Sequence, residues 1–391
     1  MVATRLTARE DVLAGVLRAH STTRQEVAAS TGLSSATVSR AIDILIAEGV
    51  VRESSDIATG LRGRRAVRLE VVANRAHVAG IDLGASTTRI VIADLLARPV
   101  AVRRLPTRVD LGPKPLAEWL HEKIEETAGA ALSISALRIG VPGAVAAEDR
   151  RVTNAPNLSQ VEDPLFLSTL DTATNASVDI DNDANYALLG EQKFGAAQSS
   201  PTAGMLTVGT GLGAAISIDG RILRGRRGII GEFGHLLVGP LGTRLENMVT
   251  GPMLSRRAAE LGYPLGSPAE LFQQHLPSQL SALVSEFDHA LLVALTALIV
   301  SSDPAVVVLG GGIAKSLGPR LKNYEQELER NLHIEVPILL AALDDYSGAV
   351  GAVVAGLQKV YSDMGVTTAE LPSLPDSRSV NWLQLASSAS R

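Results

Sequence analysis

Six polar residues in the middle of the chain, Asn157, Asn182, Asp183, Glu232, His235 and Glu246, offer the carboxylates, amides and imidazole that could hold a ligand rich in hydroxyls. Each hydroxyl of a sugar both donates and accepts, so a sugar pocket needs carboxylates, amides and imidazoles aimed inward from several loops. Taken singly, each has a plainer reading: Asn182 and Asp183 cap a helix over 184–191, and Glu232 to His235 form a solvated turn. A second chemistry sits at three glycine-bearing bends. Asp82 and Gly84, with Ser86 beside them, end an apolar strand, where a carboxylate can hold a hydrated Mg ion beside a nucleotide phosphate. Thr210, Gly211 and Gly213 lie at the bend of a strand-turn-strand over 205–216, where bare amides can wrap an anion. Gly311, in a Gly-Gly-Gly run after the apolar stretch 305–309, allows close approach to a flat ring. The third chemistry is basic and N-terminal: Arg40 can reach guanine O6 and N7, and Arg62, Arg64 and Arg65 can enter a narrow minor groove or contact phosphates.

Particular elements must position these groups. Val12 with Val16 and Leu13 with Leu17, four apart, predict a first helix up to Ala19. Thr23 and Glu26 have capping-box spacing and open a second helix that Gly32 stops. Ser34 or Ser35 caps a third, whose inner stripe is Val38, Ile42 and Leu45 and whose outward row includes Ser35, Ala36, Ser39, Arg40 and Asp43. With Thr37, those outward residues at the helix start can approach phosphates and base edges. Strands over 49–52 and 66–71 around the tip 60–65 complete a winged helix-turn-helix. Further along, 78–84 and 89–94 read as a hairpin.

The chain has 391 residues, enough for several cores. Its composition, 46% hydrophobic and 20% charged, is that of a globular protein. No uninterrupted apolar run reaches membrane-spanning length, and the polar N-terminus has no signal core, so a cytoplasmic location away from membranes is expected. There is no cysteine, which excludes disulfides and thiolate metal sites. The net charge of −5 is unevenly spread, because residues 1–73 hold ten Arg and no Lys against eight acidic residues. The N-terminal segment is therefore mildly basic on an acidic body.

The three glycine bends, in this order, together with Gly140-Val141-Pro142-Gly143, Asn154 to Leu158, Asp181 to Asn185, Gly231 to His235 and Leu245-Glu246, resemble the ROK family of repressors, open reading frames and kinases. The run Ala36 to Ile42 is similar to the recognition helix of many bacterial repressors. The resemblance implies an α/β fold with an N-terminal winged helix-turn-helix over 1–73 and a two-lobed actin-like ATPase (sugar kinase) body. Its lobes would span 76–180 and 181–360, the latter ending in a returning helix from Ser347, with a loose tail over 361–391 on which Trp382 and Leu383 could dock. It implies a sugar-responsive transcription regulator, a repressor or activator, whose partners are a sugar effector in the cleft and palindromic double-stranded operator DNA read by a homodimer or homotetramer. The alternative it carries is an ATP-dependent sugar kinase, with Asp183 as the base that takes the proton of the attacking hydroxyl and ATP with Mg as cofactors. Two departures weigh against that alternative. Most of the family bind a structural zinc through one histidine and three cysteines after the Gly-Glu-x-Gly-His motif. Here the cysteines are absent and the segment from His235 to Glu246 is short, so no zinc is expected and His235 is left to the sugar. Ala85 also stands where family kinases carry a second glycine, and its methyl group would crowd ATP phosphates.

Overall fold

The computed structural model describes residues 8–19, 21–54, 67–239, 242–273 and 276–366. The wing tip with Arg62, Arg64 and Arg65, and the tail with Trp382 and Leu383, lie outside them.

The N-terminal module comprises α1 (Ala8–Ala19), β1 (Ser21–Thr23), α2 (Arg24–Thr31), α3 (Ser35–Ala47), β2 (Val51–Ser54) and β3 (Arg68–Val71). Thr23 and Glu26 close the expected capping box on α2, and Gly32 ends it in the left-handed region. Ser34, rather than Ser35, caps α3, accepting from the Thr37 N–H. Val38, Ile42 and Leu45 are fully buried against Val12, Val16 and Leu17, each contributing about 1.5–3 kcal/mol. The strands form an antiparallel sheet in the order β1-β3-β2. The β1 strand has no signal in the sequence: three residues long, it lacks periodicity and exists because β3 offers it an edge.

The body holds two five-stranded sheets. The first is built from β4 (His77–Leu83), β5 (Thr87–Asp94), β6 (Pro99–Pro106), α4 (Pro113–Ala128), β7 (Ile134–Val141), the short pair β8 (Ala144–Val145) and β9 (Val152–Thr153), α5 (Pro164–Ala173) and β10 (Ser177–Asn182), in the strand order β10-β7-β4-β5-β6. The second contains α6 (Asp183–Phe194), β11 (Ala203–Val208), β12 (Leu212–Ile218), β13 (Arg221–Ile222), the pair β14 (Leu237–Val238) and β15 (Thr243–Arg244), α7 (Glu246–Val249), α8 (Gly251–Glu260), α9 (Ser278–Ser302), β16 (Val306–Gly310), α10 (Leu321–Leu332) and β17 (Ile338–Leu340), in the order β13-β12-β11-β16-β17. Both sheets are an antiparallel meander of three strands extended by two parallel strands on the side of the first. The halves therefore repeat one topology without a visible sequence repeat. The last helix, α11 (Ser347–Asp363), returns to pack on α6 and on β4.

Helix α9 is, by length and composition, apolar enough to cross a membrane. It instead buries Phe287, Leu291, Leu295 and Leu298 in the core of the second half. The middle core joins α6 and α11 to the N-terminal module, so that module is packed on the body rather than tethered to it.

Candidate functional site

A cleft of about 950 Å³ lies between the two sheets. It is lined by all six of the polar residues, Asn157, Asn182, Asp183, Glu232, His235 and Glu246, and also by Asp82, Gly84, Ser86, Thr210, Gly211, Gly213 and Gly311. One wall therefore gathers loops separated by more than two hundred residues.

Asp183 is the first residue of α6, delivered into the cleft by the parallel strand β10. Asn182 caps that helix: its Oδ1 accepts from the N–H groups of Ala184 and Asn185, and its Nδ2 donates to the Gly143 carbonyl at 2.9 Å. The plainer reading of Asn182 thus holds alongside its place in the cleft, and its side chain chiefly fixes the 142–143 loop to α6. Asp183 spends Oδ1 on the Ala184 N–H at 2.7 Å. Burial, then the charges of Asp82 and Glu232, push its carboxyl up to about 7. Glu232 is pushed up to about 7 as well, by burial and then by Glu246. His235 Nε2 stands 3.7 Å from Glu232 Oε2. Carboxyls poised near neutrality can accept from a hydroxyl or donate to it, which suits a polyol and also suits general-base work. Gly231 makes the turn before Glu232 possible: its φ is +94°, and a methyl there would fall on the Ala214 carbonyl.

At the other end Asp82 and Arg89 are directly cross-strand on β4 and β5. The Arg89 guanidinium donates to Asp82 at 3.1 Å and to Asp345 at 3.1 Å, and Arg104 on β6 stands 3.9 Å from Asp345. Burial raises the Asp82 carboxyl, and Arg89 opposes that rise. Asp345 had no detectable sequence signal, since it is 256 residues from its partner. Two further groups also carry no local sequence signal. Glu162 accepts from the Ala155 N–H at 2.6 Å and so shapes the loop that presents Asn157. Glu191, fully buried, accepts from Ala196, Ala342, Leu343 and Ser347 and fixes the approach to α11.

On the N-terminal module, Ser35, Ala36 and Arg40 are exposed, and Thr37 and Ser39 are half-buried. Thr37 shares a hydrogen bond with Ser34. Neighbouring arginines are paired, Arg24 with Asp43 and Glu53 and Arg52 with Glu70. Arg40 makes no ion pair among the described residues, only a 3.4 Å contact to the Ala36 carbonyl.

The ROK family profile matches residues 78–359. The chain belongs to the ROK family. It is 34% identical over 219 residues to a xylose repressor of Caldicellulosiruptor bescii, a match covering 55% of this chain and 54% of that protein. It is 25% identical over 279 residues to a glucokinase of Halalkalibacterium halodurans, covering 64% of this chain and 84% of the kinase. The chain spans about half the length of the curated repressors it matches. Among solved structures, a ROK hexokinase from Thermus thermophilus superposes with a TM-score of 0.61 at 30% identity, covering 73% of this chain and 99% of that one. A ROK family transcriptional regulator, a homologue of the E. coli MLC protein, gives 0.71 at 20% identity over 90% of this chain and 97% of that one, which speaks to fold alone. ROK relatives of this chain thus bear the names both of sugar repressors and of sugar kinases.

Proposed function

We propose that this ROK protein is a sugar-responsive transcription regulator, acting as a repressor. In this reading residues 1–73 form a winged helix-turn-helix that reads operator DNA, residues 76–180 and 181–360 form the two lobes, and a sugar binds in the cleft between them. The observation that carries it is Arg40 on the outward row of α3, which makes no ion pair among the described residues, whereas Arg24 beside it is tied to Asp43 and Glu53. A palindromic operator would be read by two copies of the chain, as a homodimer or homotetramer. The wing arginines would add phosphate or minor-groove contacts.

A kinase reading is favoured by one observation, the Asp183 carboxyl held near 7 at the start of α6. Against it, the Asp82 carboxylate that would face a hydrated Mg ion is already engaged by Arg89, which does not fit a metal–nucleotide complex. A zinc site does not fit either, because the chain has no cysteine and β14 pairs with β15 across the short segment. We therefore assign no cofactor. Asp183, Glu232, His235 and Glu246 hold the sugar hydroxyls, with Asn157 reaching from the first half.

The test is selection of DNA from a random-sequence pool by the purified full-length chain, followed by release with a panel of free, N-acetylated and phosphorylated sugars. Specific DNA released by one sugar supports the reading. Turnover of ATP with a hexose in a coupled assay, with no DNA selected, replaces it by the kinase.

A further inference from the structure

We infer that α11 is a rod that carries the state of the cleft to the DNA-reading module, with the Asp345–Arg89 pair as its input and Arg9 as its output; the direction of this signal rests on the regulator reading above. The N-terminal end of the rod lies in the cleft. Asp345, Ser347 and Gly348 line it, and Asp345, two residues before the helix, is tied to Arg89 on β5. Ser347 is pinned by Glu191. The other end, about 25 Å away at 1.5 Å per residue, is clasped by the module. Arg9 on α1 donates to the Met364 carbonyl at 2.9 Å while its guanidinium also pairs with Glu48 just beyond α3. Val366 is fully buried in the core shared with α1. Tyr361 donates to the Leu95 carbonyl, and the Leu95 N–H donates to Ala73, in the link between module and body.

The shaft between these ends has no slack. Methyl groups at Gly80 on β4, Gly190 on α6 and Gly351 on α11 would fall on the backbone of Ala349, Ser347 and Tyr186 respectively. Backbone meets backbone at each crossing, and the Val353 side chain beside Gly80 is the one side chain among the nearest atoms, so a change of rotamer there absorbs little of a shift. Close-packed contacts of this kind move as a unit rather than deforming. A ligand that competes for Arg89 therefore releases Asp345 and with it the start of the helix on which α1 rests.

The experiment is hydrogen exchange with mass spectrometry on the full chain, without ligand, for wild type, Asp345→Asn, Asp345→Glu, Arg9→Ala and the Asp345→Asn/Arg9→Ala double variant. Asp345→Asn is expected to speed exchange at least fivefold in residues 8–19, the scale of ordinary allosteric coupling. Asp345→Glu, which keeps the charge, is expected to restore exchange to within about twofold of wild type. In the Arg9→Ala background the added Asp345→Asn change is expected to have no further effect on residues 8–19. If Asp345→Asn changes exchange only around residues 82–89 and 344–348, or if the two substitutions act independently on α1, the rod is wrong. A parallel arm measures affinity for DNA selected by the wild type, where Asp345→Asn is expected to change affinity fivefold or more. If no DNA is selected while α1 still responds to Asp345, the regulator reading fails and the rod stands.

Discussion

The clearest consequence of the cleft's electrostatics is that Asp183 destabilises the ligand-free protein. In the unfolded chain its carboxyl ionises near 4, whereas burial and the charges of Asp82 and Glu232 keep it protonated up to about 7 in the native state. Between those values the native state holds a proton that the unfolded state has lost, so folding stability falls as pH rises from 4 to 7 and the full cost persists above 7. A rise from 3.8 to about 7 is worth at most about 4 kcal/mol at 1.36 kcal/mol per pK unit. Part of that is repulsion shared with Asp82 and then Glu232 and relieved by protonation of either partner, so about 2 kcal/mol is assigned to Asp183 alone. Asp183→Asn keeps the shape and the acceptor for the Ala184 N–H while removing the charge. The variant should therefore be more stable than wild type by about 2 kcal/mol at pH 8, roughly 4–8 °C in Tm for a lobe of this size. The gain should shrink to about 0.5 kcal/mol at pH 4.5, where wild type pays little of the cost. Urea unfolding followed by circular dichroism at both pH values measures it. An equal gain at the two pH values, or a loss at pH 8, would refute the account of the site's electrostatics. The same variant should lose about 1.5–3 kcal/mol of sugar affinity, the usual opposition between stability and function at a built site.

Arg40→Ala should weaken binding to the selected DNA by about 1–3 kcal/mol and relax base preference at one position of each half-site, measured by fluorescence anisotropy; unchanged affinity would remove Arg40 from the interface. Glu191→Gln should destabilise by about 3 kcal/mol, because an amide turns N–H groups toward donors that now meet a carboxylate, read as a lower urea midpoint. Gly351→Ala should cost about 2–3 kcal/mol, since its methyl group would fall on the Tyr186 carbonyl. Elemental analysis of the purified chain should find no stoichiometric zinc, and chelation should leave Tm unchanged; a bound zinc would mean that ligands other than thiolates complete a site.

What could be read from the sequence was whatever a few neighbouring residues decide among themselves. The Thr23–Glu26 capping box, the Gly32 stop and the stripe Val38, Ile42 and Leu45 are all satisfied within one or two turns of helix, and the 78–84 and 89–94 hairpin needs only its own bend. The cleft residues were nameable because their motifs resemble a family, although nothing in the spacing of Asn157 and Glu246 says that they face one cavity. That depends on two parallel crossovers, which place the ends of β10 and the bend after β11 at one mouth. The groups that escaped notice are those whose partner is distant in the chain. Asp345 is an unremarkable acid before a helix until β5 brings Arg89 beside it. Glu191 reads as a surface position on α6 until the loop before α11 closes over it with two backbone N–H groups and a hydroxyl. Gly190 and Gly351 look like weak points in two helices, and they are the residues that let those helices cross with backbones in contact. A helix-breaking residue placed twice where two helices must meet is a tertiary instruction, and it acquires meaning only with its partner in view. The same logic explains why the topological repeat of the two halves is invisible in the sequence: pairing order constrains which strands meet, whereas each strand's residues answer to the different helices, α4 and α5 on one sheet and α9 and α10 on the other, that cover it.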